Sequence, residues 1–367
     1  MKIAIMGIRG IPANYGGFET FAEALSERLV QRGHDVTVYG RSHMIDYSEP
    51  YYKGVRIRIL PTIRHKYFDT VVHTFLCAIH ALKERYDVIL ICNSANSYIS
   101  FIPRIVGTRV ALNVDGLEWQ RDKWNKIGKL YYRLSEWLAT FLPDAVVSDA
   151  RMIQRYYRKK FRKDSFYIPY GFQPENDSKT DILEKFGVRP QEYVLYVSRL
   201  EPENNAHRVI EAFEKVKTDK NLVIVGDAPY NQEYIAKLKA TRDKRIIFTG
   251  YVFGRGYRQF QTHAYCYIQA TEVGGTHPAL VEAMGFANCI LANDVPEHRE
   301  VLGDAGIFFD VEDPEDLAKK LQRVLDQPEL VERYRERARR RAAEKYSWDS
   351  ITDAYEKLFR AMIRRRA

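Results

Sequence analysis

The sequence predicts an α/β chain built as two doubly wound domains, and three observations predict it. The chain has 367 residues, more than the ~250–300 at which a single hydrophobic core stops growing. Short apolar runs alternate with amphipathic stretches of helical period along almost its whole length, the pattern of βα units on a mostly parallel sheet. One polar segment, residues 173–180 (QPENDSKT), interrupts that alternation and has no apolar period of its own. The domains are therefore expected at 1–172 and 191–347, with a linker at 173–190 and a final segment, 348–367, as a helix.

Residues 2–6 (KIAIM) are the first strand, too short for the apolar region of a secretion signal. Residues 18–32 are a helix with Phe21, Ala24, Leu25 and Leu29 on one face, and Gly33 ends it. Strands at 36–39, 55–59, 88–92, 109–113 and 145–148 follow, with helices at 70–85 and 126–141. The second alternation places strands at 193–197, 222–225, 245–249, 266–269, 289–292 and 306–309. Its helices are expected at 205–216, 231–242, 278–285 and 314–326. Two long charged helices, 330–345 and 348–365, close the chain. Ligands of such sheets lie beyond the carboxyl ends of the strands, and two such domains face to face leave a deep cleft.

Composition is that of an ordinary globular chain, 46% hydrophobic and 29% charged. It contains no apolar run of the length a membrane-spanning helix needs. Cys77, Cys92, Cys266 and Cys289 sit in apolar segments without metal spacing and read as buried reduced thiols, so a cytoplasmic location is expected. The net charge of +9 is unevenly spread: +10 over 1–172, −8 over 173–332 and +7 over 333–367. A basic half suits nucleic acid, an anionic membrane or a phosphorylated acceptor, and equally a solvated surface. Basic-aromatic stretches at 64–68, 123–133 and 155–163 suit a membrane interface. They also suit single-stranded nucleic acid, but no nucleic-acid motif accompanies them, so membrane contact ranks first. His263 and His277 lack the partner spacing of a metal site; no metal and no cofactor are expected.

The most informative stretch is residues 270–285 (ATEVGGTHPALVEAMG), a polar glycine-bearing loop leading into an apolar helix start. The backbone of Gly275, Thr276, His277, Pro278 and Ala279 offers a helix N-terminus to an anion, with N–H groups at every position but Pro278. Glu282, one turn further on, can reach a sugar hydroxyl beside it. The combination suits a nucleotide diphosphate sugar; the plain alternative is a βα loop capped by Thr276. The first βα connection, residues 7–20 (GIRGIPANYGGFET), lacks the dinucleotide fingerprint, and the second strand ends without a ribose-binding acid, which disfavours a nicotinamide dehydrogenase. Gly16 and Gly17 allow close backbone approach to an anion. Residues 113–124 (NVDGLEWQRDKW) put Asn113, Asp115, Trp119, Arg121 and Trp124 at a strand's carboxyl end, where they suit a sugar or a lipid-linked acceptor. Arg199 ends another strand and can pair bidentately with phosphate. Gly226 and Tyr251 lie in two further strand-end turns that can frame a nucleoside.

With these motifs on the page, the chain resembles glycosyltransferase family 4. The resemblance runs through Gly16-Gly17-Phe18-Glu19, Ile168-Pro169-Tyr170-Gly171-Phe172, Val197-Ser198-Arg199-Leu200, Val225-Gly226-Asp227, the segment from Glu272 to Glu282, and Tyr346-Ser347-Trp348. Residues 7–20, Asp-Gly-Leu-Glu-Trp, Pro-Glu-Asn-Asn and Glu-Val-Gly-Gly-Thr are similar to a bacterial subgroup often labelled as rhamnosyltransferases of polysaccharide assembly. The resemblance implies the GT-B fold: two doubly wound Rossmann-like domains facing across a cleft, with the C-terminal helix crossing back to the first domain. It implies a hexosyltransferase moving the sugar of a nucleoside diphosphate sugar to a lipid-linked glycan acceptor at the inner membrane face, with retention at the anomeric carbon, and it leans toward dTDP-rhamnose as donor. Glu282 would then hold the donor ribose and Glu272 would lie beside the transferred sugar. Arg199 would neutralise the leaving diphosphate, over which Gly16 and Gly17 would close. Asp115, Arg199 and Glu272 are the catalytic candidates. The chain departs from the family at three places. Its two glutamates are ten apart rather than eight, Asn204 replaces a lysine, and Asn113 and Asp115 stand where many members carry a histidine. A basic nucleic-acid-binding protein and another GT-B enzyme, such as a nucleotide-sugar epimerase, are the alternatives.

Overall fold

A computed structural model describes all residues except 14–15, 66–67, 121–123, 173–176, 229–230, 273–275 and 365–367. It divides the chain into two compact units, Met1–Gly171 with Trp348–Ala367, and Phe172–Ser347.

In the first unit the described strands are β1 (Lys2–Met6), β2 (Asp35–Arg41), β3 (Tyr51–Tyr52), β4 (Val55–Leu60), β5 (Val88–Cys92), β6 (Arg109–Asn113), β7 (Ala145–Ser148) and β8 (Phe166–Tyr167). They form one sheet in the order β3-β4-β2-β1-β5-β6-β7-β8. All pairings are parallel except the short β3–β4 hairpin. The order reverses between β1 and β5, which makes that gap the switch point. Helices Gly17–Gln31 and Trp348–Arg364 cover one face. Trp348, Ile351, Tyr355, Leu358, Phe359 and Met362 form the buried stripe of the C-terminal helix, at the three-and-four spacing of an amphipathic helix. Cys77 and Ala81 of helix Asp69–Glu84, with Ile153 and Tyr157 of helix Arg151–Phe161, cover the other face. Double cover explains why β5 (VILIC) is buried at every position.

In the second unit β9 (Tyr193–Val197), β10 (Asn221–Val225), β11 (Ile246–Gly250), β12 (Cys266–Gln269), β13 (Ile290–Asn293) and β14 (Gly306–Phe309) form an all-parallel sheet in the order β11-β10-β9-β12-β13-β14. Its switch point lies between β9 and β12. Alternate residues of β9 enter opposite cores: Val194 and Tyr196 one, Tyr193 and Leu195 the other. The first core is closed by helices Ala206–Glu214 and Pro314–Asp326. The second is closed by Gly254–His263, Pro278–Gly285 and Pro328–Lys345. The unit's first and last residues lie side by side. Phe172 N–H donates to the Tyr346 carbonyl at 2.6 Å, and Phe172 bridges Ser347 in parallel. The Phe172 ring rests on Gly285, where an added Cβ would stand 1.8 Å from it.

The structure corrects several expectations. The expected linker at 173–190 is, where described, part of the second unit: helix Asp181–Lys185 buries Leu183, and Val188 joins the same core. Its anchors, Ile182, Leu183, Phe186 and Val188, are too few and too closely spaced to show a period in sequence. Helix Arg151–Phe161 was hidden because only Ile153 and Tyr157 are buried among its many cations. Helix Gly254–His263 was hidden by its two glycines and by burying Gln259 and Gln261 beside Phe260. The 3-10 turn Ser94–Ser100, helix Pro296–Leu302 and strands β3 and β8 are short and likewise gave no signal.

Candidate functional site

The polar sequence motifs of the second unit gather at the carboxyl edge of its sheet, centred on the β9/β12 switch point. Arg199 follows β9, and its loop is clamped to the turn after β10. Ser198 N–H donates to the Val225 carbonyl at 3.1 Å, and Leu200 N–H to the Asp227 carbonyl at 3.2 Å. Gly226 permits this approach. Its φ is +143°, and an added Cβ would stand 1.8 Å from the Ser198 carbonyl oxygen. Asn204 braces the loop from the other side, donating to the Arg199 carbonyl at 2.7 Å, while Tyr196 donates to the Asn204 carbonyl at 2.6 Å. The residue standing for a family lysine is thus buried as a strut. The Arg199 side chain is half-buried, and no carboxylate of the described residues pairs with it. A placed cation without a counter-charge is suited to an anionic ligand.

Across the switch point, Glu272 follows β12. Its Oε1 accepts from Asn205 Nδ2 at 2.7 Å, and its N–H donates to the Glu203 carbonyl at 3.2 Å. Asn205 adopts φ 62° at the N-terminus of helix Ala206–Glu214, a left-handed conformation that asparagine tolerates. The Glu272 carboxylate is therefore held in one orientation. Thr276 is buried, and His277 precedes helix Pro278–Gly285 in extended conformation. Pro278 and Ala279 open that helix, so its first N–H groups point toward the loop. Gly275 lies outside the described residues. Tyr251 stacks on Phe253, ring centroids 5.6 Å apart, just beyond β11.

Glu282 lies on the same helix. One carboxylate oxygen accepts from Tyr257 Oη at 2.6 Å; among the described residues the other has no hydrogen-bond partner. Behind Tyr257 runs a chain that the sequence did not reveal: Gln261 Nε2 donates to Tyr257 Oη at 2.9 Å and Asn288 Nδ2 to Gln261 Oε1 at 3.1 Å. Burial pushes the Glu282 carboxyl up to about 7, against the lowering effect of the Tyr257 hydrogen bond. His298 was also missed. Its ring lies 5.2 Å from that of His277, its Nδ1 donates to the Asn293 carbonyl at 2.8 Å, and burial pushes its pKa down to about 4. It is a neutral ring at physiological pH.

In the first unit, the loop after β1 is tied back by acids of the helix it precedes. Glu19 Oε1 accepts from Arg9 N–H at 2.9 Å and Glu23 Oε2 from Ala13 N–H at 2.8 Å. Gly16 is extended, at φ −170°, and Gly17 begins the helix, so the helix N-terminus opens at the β1/β5 switch point. Beyond β6, Asp115 takes φ 52°, uncommon for a residue with a side chain and frequent at functional sites. Its N–H donates to Asn113 Oδ1 at 3.1 Å, and Asn113 Nδ2 donates to Tyr355 Oη at 3.3 Å. Buried Tyr170 reaches Asp115 Oδ1 at 3.5 Å. Neither tyrosine was found from sequence, because only folding brings residues 170 and 355 to β6. Trp119 lies under the Arg133 guanidinium at 4.5 Å and packs on the core. Trp124 donates to Glu118 Oε2 at 3.2 Å and packs on Tyr132. Arg121 lies outside the described residues. Among the described residues no group of three His, Cys, Asp or Glu side chains fits a metal ion, and no helix is long and apolar enough to cross a membrane.

Residues 178–341 match the family Glycosyl transferases group 1, and residues 1–173 match a domain of unknown function, DUF1972. A Campylobacter jejuni protein, N-acetylgalactosamine-N,N'-diacetylbacillosaminyl-diphospho-undecaprenol 4-alpha-N-acetylgalactosaminyltransferase, is 24% identical over 164 residues, 44% of each chain. The match spans about half the length of the first curated relatives. Among solved structures, sucrose-phosphate synthase from Thermosynechococcus elongatus superposes with TM-score 0.84 at 18% identity over 99% of both chains. Anabaena HepE in complex with UDP and glucose superposes with TM-score 0.79 at 17% identity, over 98% of this chain and 100% of that one.

The clamp on the Arg199 loop has a direct test. Gly226→Ala forces a side chain into a left-handed conformation and against the Ser198 carbonyl, so it should destabilise the second unit by more than about 2 kcal/mol. Urea unfolding measures this; an unchanged midpoint would show that the loop is not held this way.

Proposed function

Because residues 178–341 form a glycosyl transferases group 1 domain in a chain of GT-B fold, we propose that this protein is a family 4 hexosyltransferase. It moves a sugar from a nucleoside diphosphate sugar to a lipid-linked glycan acceptor in cell-surface polysaccharide synthesis. The observation that carries this reading is Arg199: a half-buried side chain with no carboxylate partner among the described residues, clamped at the β9/β12 switch point beside a helix N-terminus. The relative whose name includes diphospho-undecaprenol and the neighbour bound to UDP support the acceptor and donor classes.

In the proposed reaction the bond from the anomeric carbon to the β-phosphate oxygen breaks, and a bond to the acceptor hydroxyl oxygen forms. Negative charge grows on the departing diphosphate. Arg199 and the N-terminus of helix Pro278–Gly285 stabilise it by preorganised electrostatics. Glu282 accepts from the ribose hydroxyls with the oxygen that Tyr257 leaves vacant. Glu272, oriented by Asn205, accepts from a hydroxyl of the transferred sugar. Tyr251 and Phe253 flank the base. The acceptor proton passes to the leaving phosphate on the same face, which retains the anomeric configuration, and Asp115 orients the acceptor hydroxyl. These steps call on no metal or cofactor. The subgroup resemblance favours dTDP-rhamnose as donor. A lipid-linked acceptor places the protein at the cytoplasmic membrane face as a peripheral protein.

Arg199→Ala should lower kcat by about 100- to 1,000-fold, the usual cost of one preorganised charge-stabilising donor, while the thermal midpoint without ligand stays put. A near-normal rate rejects the assignment. The anomer of the product, read by NMR, should match that of the donor sugar; the opposite anomer would make Asp115 a general base on the far face.

The elevated Glu282 carboxyl gives a pH dependence of defined sign. Ribose hydroxyls favour the ionised form, so donor binding releases a proton. Affinity for an intact nucleoside diphosphate sugar, whose phosphates do not titrate near neutrality, should be full above about pH 7 and fall by about tenfold per unit below it. Tyr257→Phe removes a donor to the ionised form and should move that fall to higher pH. Calorimetric titration across this range decides; a flat profile in both proteins would remove Glu282 from the ribose.

A further inference from the structure

Helix Lys126–Leu138 is amphipathic in the inverted sense. It turns Tyr132, Ser135 and Glu136 into the unit and leaves Ile127 and Leu130 exposed by 78% and 68%. Leu134, Trp137 and, just beyond, Phe141 are about half exposed. Their spacing of three or four residues puts them on one face. The inward polar groups are satisfied. Glu136 Oε2 accepts from Tyr156 Oη at 2.7 Å and from Lys160 Nζ at 3.4 Å. The helix is therefore docked by a buried polar cluster, and its apolar stripe is left without cover in the monomer. Phe101, Ile105 and Val106 add exposed apolar surface from a neighbouring turn, which Arg104 ties to the end of this helix through the Leu142 carbonyl. Of the sixteen large hydrophobic side chains exposed among the described residues, fifteen belong to the first unit. The asymmetry marks a surface rather than scattered exposure.

The charge on this face selects its occupant. The helix carries Lys126, Lys129 and Arg133, and its one acid is the buried Glu136. The first unit as a whole carries a net charge of +12 and the second −3. Two copies face to face would oppose cation to cation. We propose that this face docks on an anionic lipid bilayer. Ile127, Leu130, Leu134 and Trp137 enter the boundary between headgroups and acyl chains, and the three cations meet lipid phosphates. The docking helix starts eleven residues after Asp115 in the chain. The face goes beyond the donor assignments and draws on the lipid-linked acceptor only for its purpose. The basic-aromatic stretch at 155–163 is not the docking element, since Tyr157 is buried and Lys160 folds back on Glu136.

The test is flotation of the full chain with phosphatidylcholine vesicles containing about 30% phosphatidylglycerol, and with phosphatidylcholine alone, without nucleotide. The protein should float with the anionic vesicles and much less with the neutral ones. Leu130→Asp with Leu134→Asp should weaken that binding by about tenfold or more, with an unchanged thermal midpoint and unchanged donor-induced shift. Brominated acyl chains should quench tryptophan emission in the natural protein and not in Trp137→Phe. No flotation, equal flotation of the double variant, or quenching that survives Trp137→Phe overturns the proposal. So does a dimer in light scattering that the double variant dissociates, which would make the face a contact between copies. A chain that floats but shows no donor-induced thermal shift would sink the donor reading and leave the docking face standing.

Discussion

The constraint on which the site depends is that every strand of the second sheet runs the same way. Parallel strands deliver all their following loops to one edge, and the reversal of order between β9 and β12 forces two of those loops apart. Arg199 follows one of these strands and Glu272 the other. Neither residue could be brought near the other by local sequence. The sheet does it because its strands, buried on both faces, cannot slip register without moving whole rows of Val, Leu, Ile and Tyr out of their cores.

On that frame, electrostatics separates roles. Arg199 has its backbone held from both sides while, among the described residues, its guanidinium has no carboxylate partner. Glu272 and Glu282 are also held, by Asn205 and Tyr257, but each by a neutral donor rather than a cation. A salt bridge within the site would satisfy these charges internally and leave little for a ligand. Burial without a counter-cation instead keeps Glu282 partly protonated near neutrality. In the first unit Asn113 accepts from the Asp115 N–H and donates to Tyr355, and Tyr170 reaches the Asp115 carboxylate. The left-handed backbone at Asp115 adds a local cost that the surrounding fold sustains.

The first unit shows the opposite trade on its surface. Helix Lys126–Leu138 gives up the burial of four large apolar side chains and buries a glutamate. In water that arrangement wastes hydrophobic area, at roughly 25 cal/mol per Å². It is explicable when the missing apolar environment is supplied from outside.

By itself the sequence determined the strands of both sheets except the two-residue β3 and β8, because mostly apolar runs of four or five residues bounded by glycine or charge admit few other structures. It also marked the helix starts that follow the glycine-bearing loops at 7–20 and 270–285, because glycine followed by a helix start is a local signal. It did not show the elements that carry little apolar surface: Asp181–Lys185, Arg151–Phe161 and Gly254–His263. Only the tertiary structure decided what stands behind each functional side chain. Tyr257 holds Glu282 from another helix and is backed by Gln261 and Asn288, Tyr355 reaches Asn113 from the far end of the chain, and Gly226 holds the Arg199 loop through contact with Ser198. It alone decided that helix Lys126–Leu138 faces its apolar side outward. Period reveals that a helix has two faces; which face turns inward depends on what the rest of the chain offers it, here a tyrosine and a lysine for Glu136.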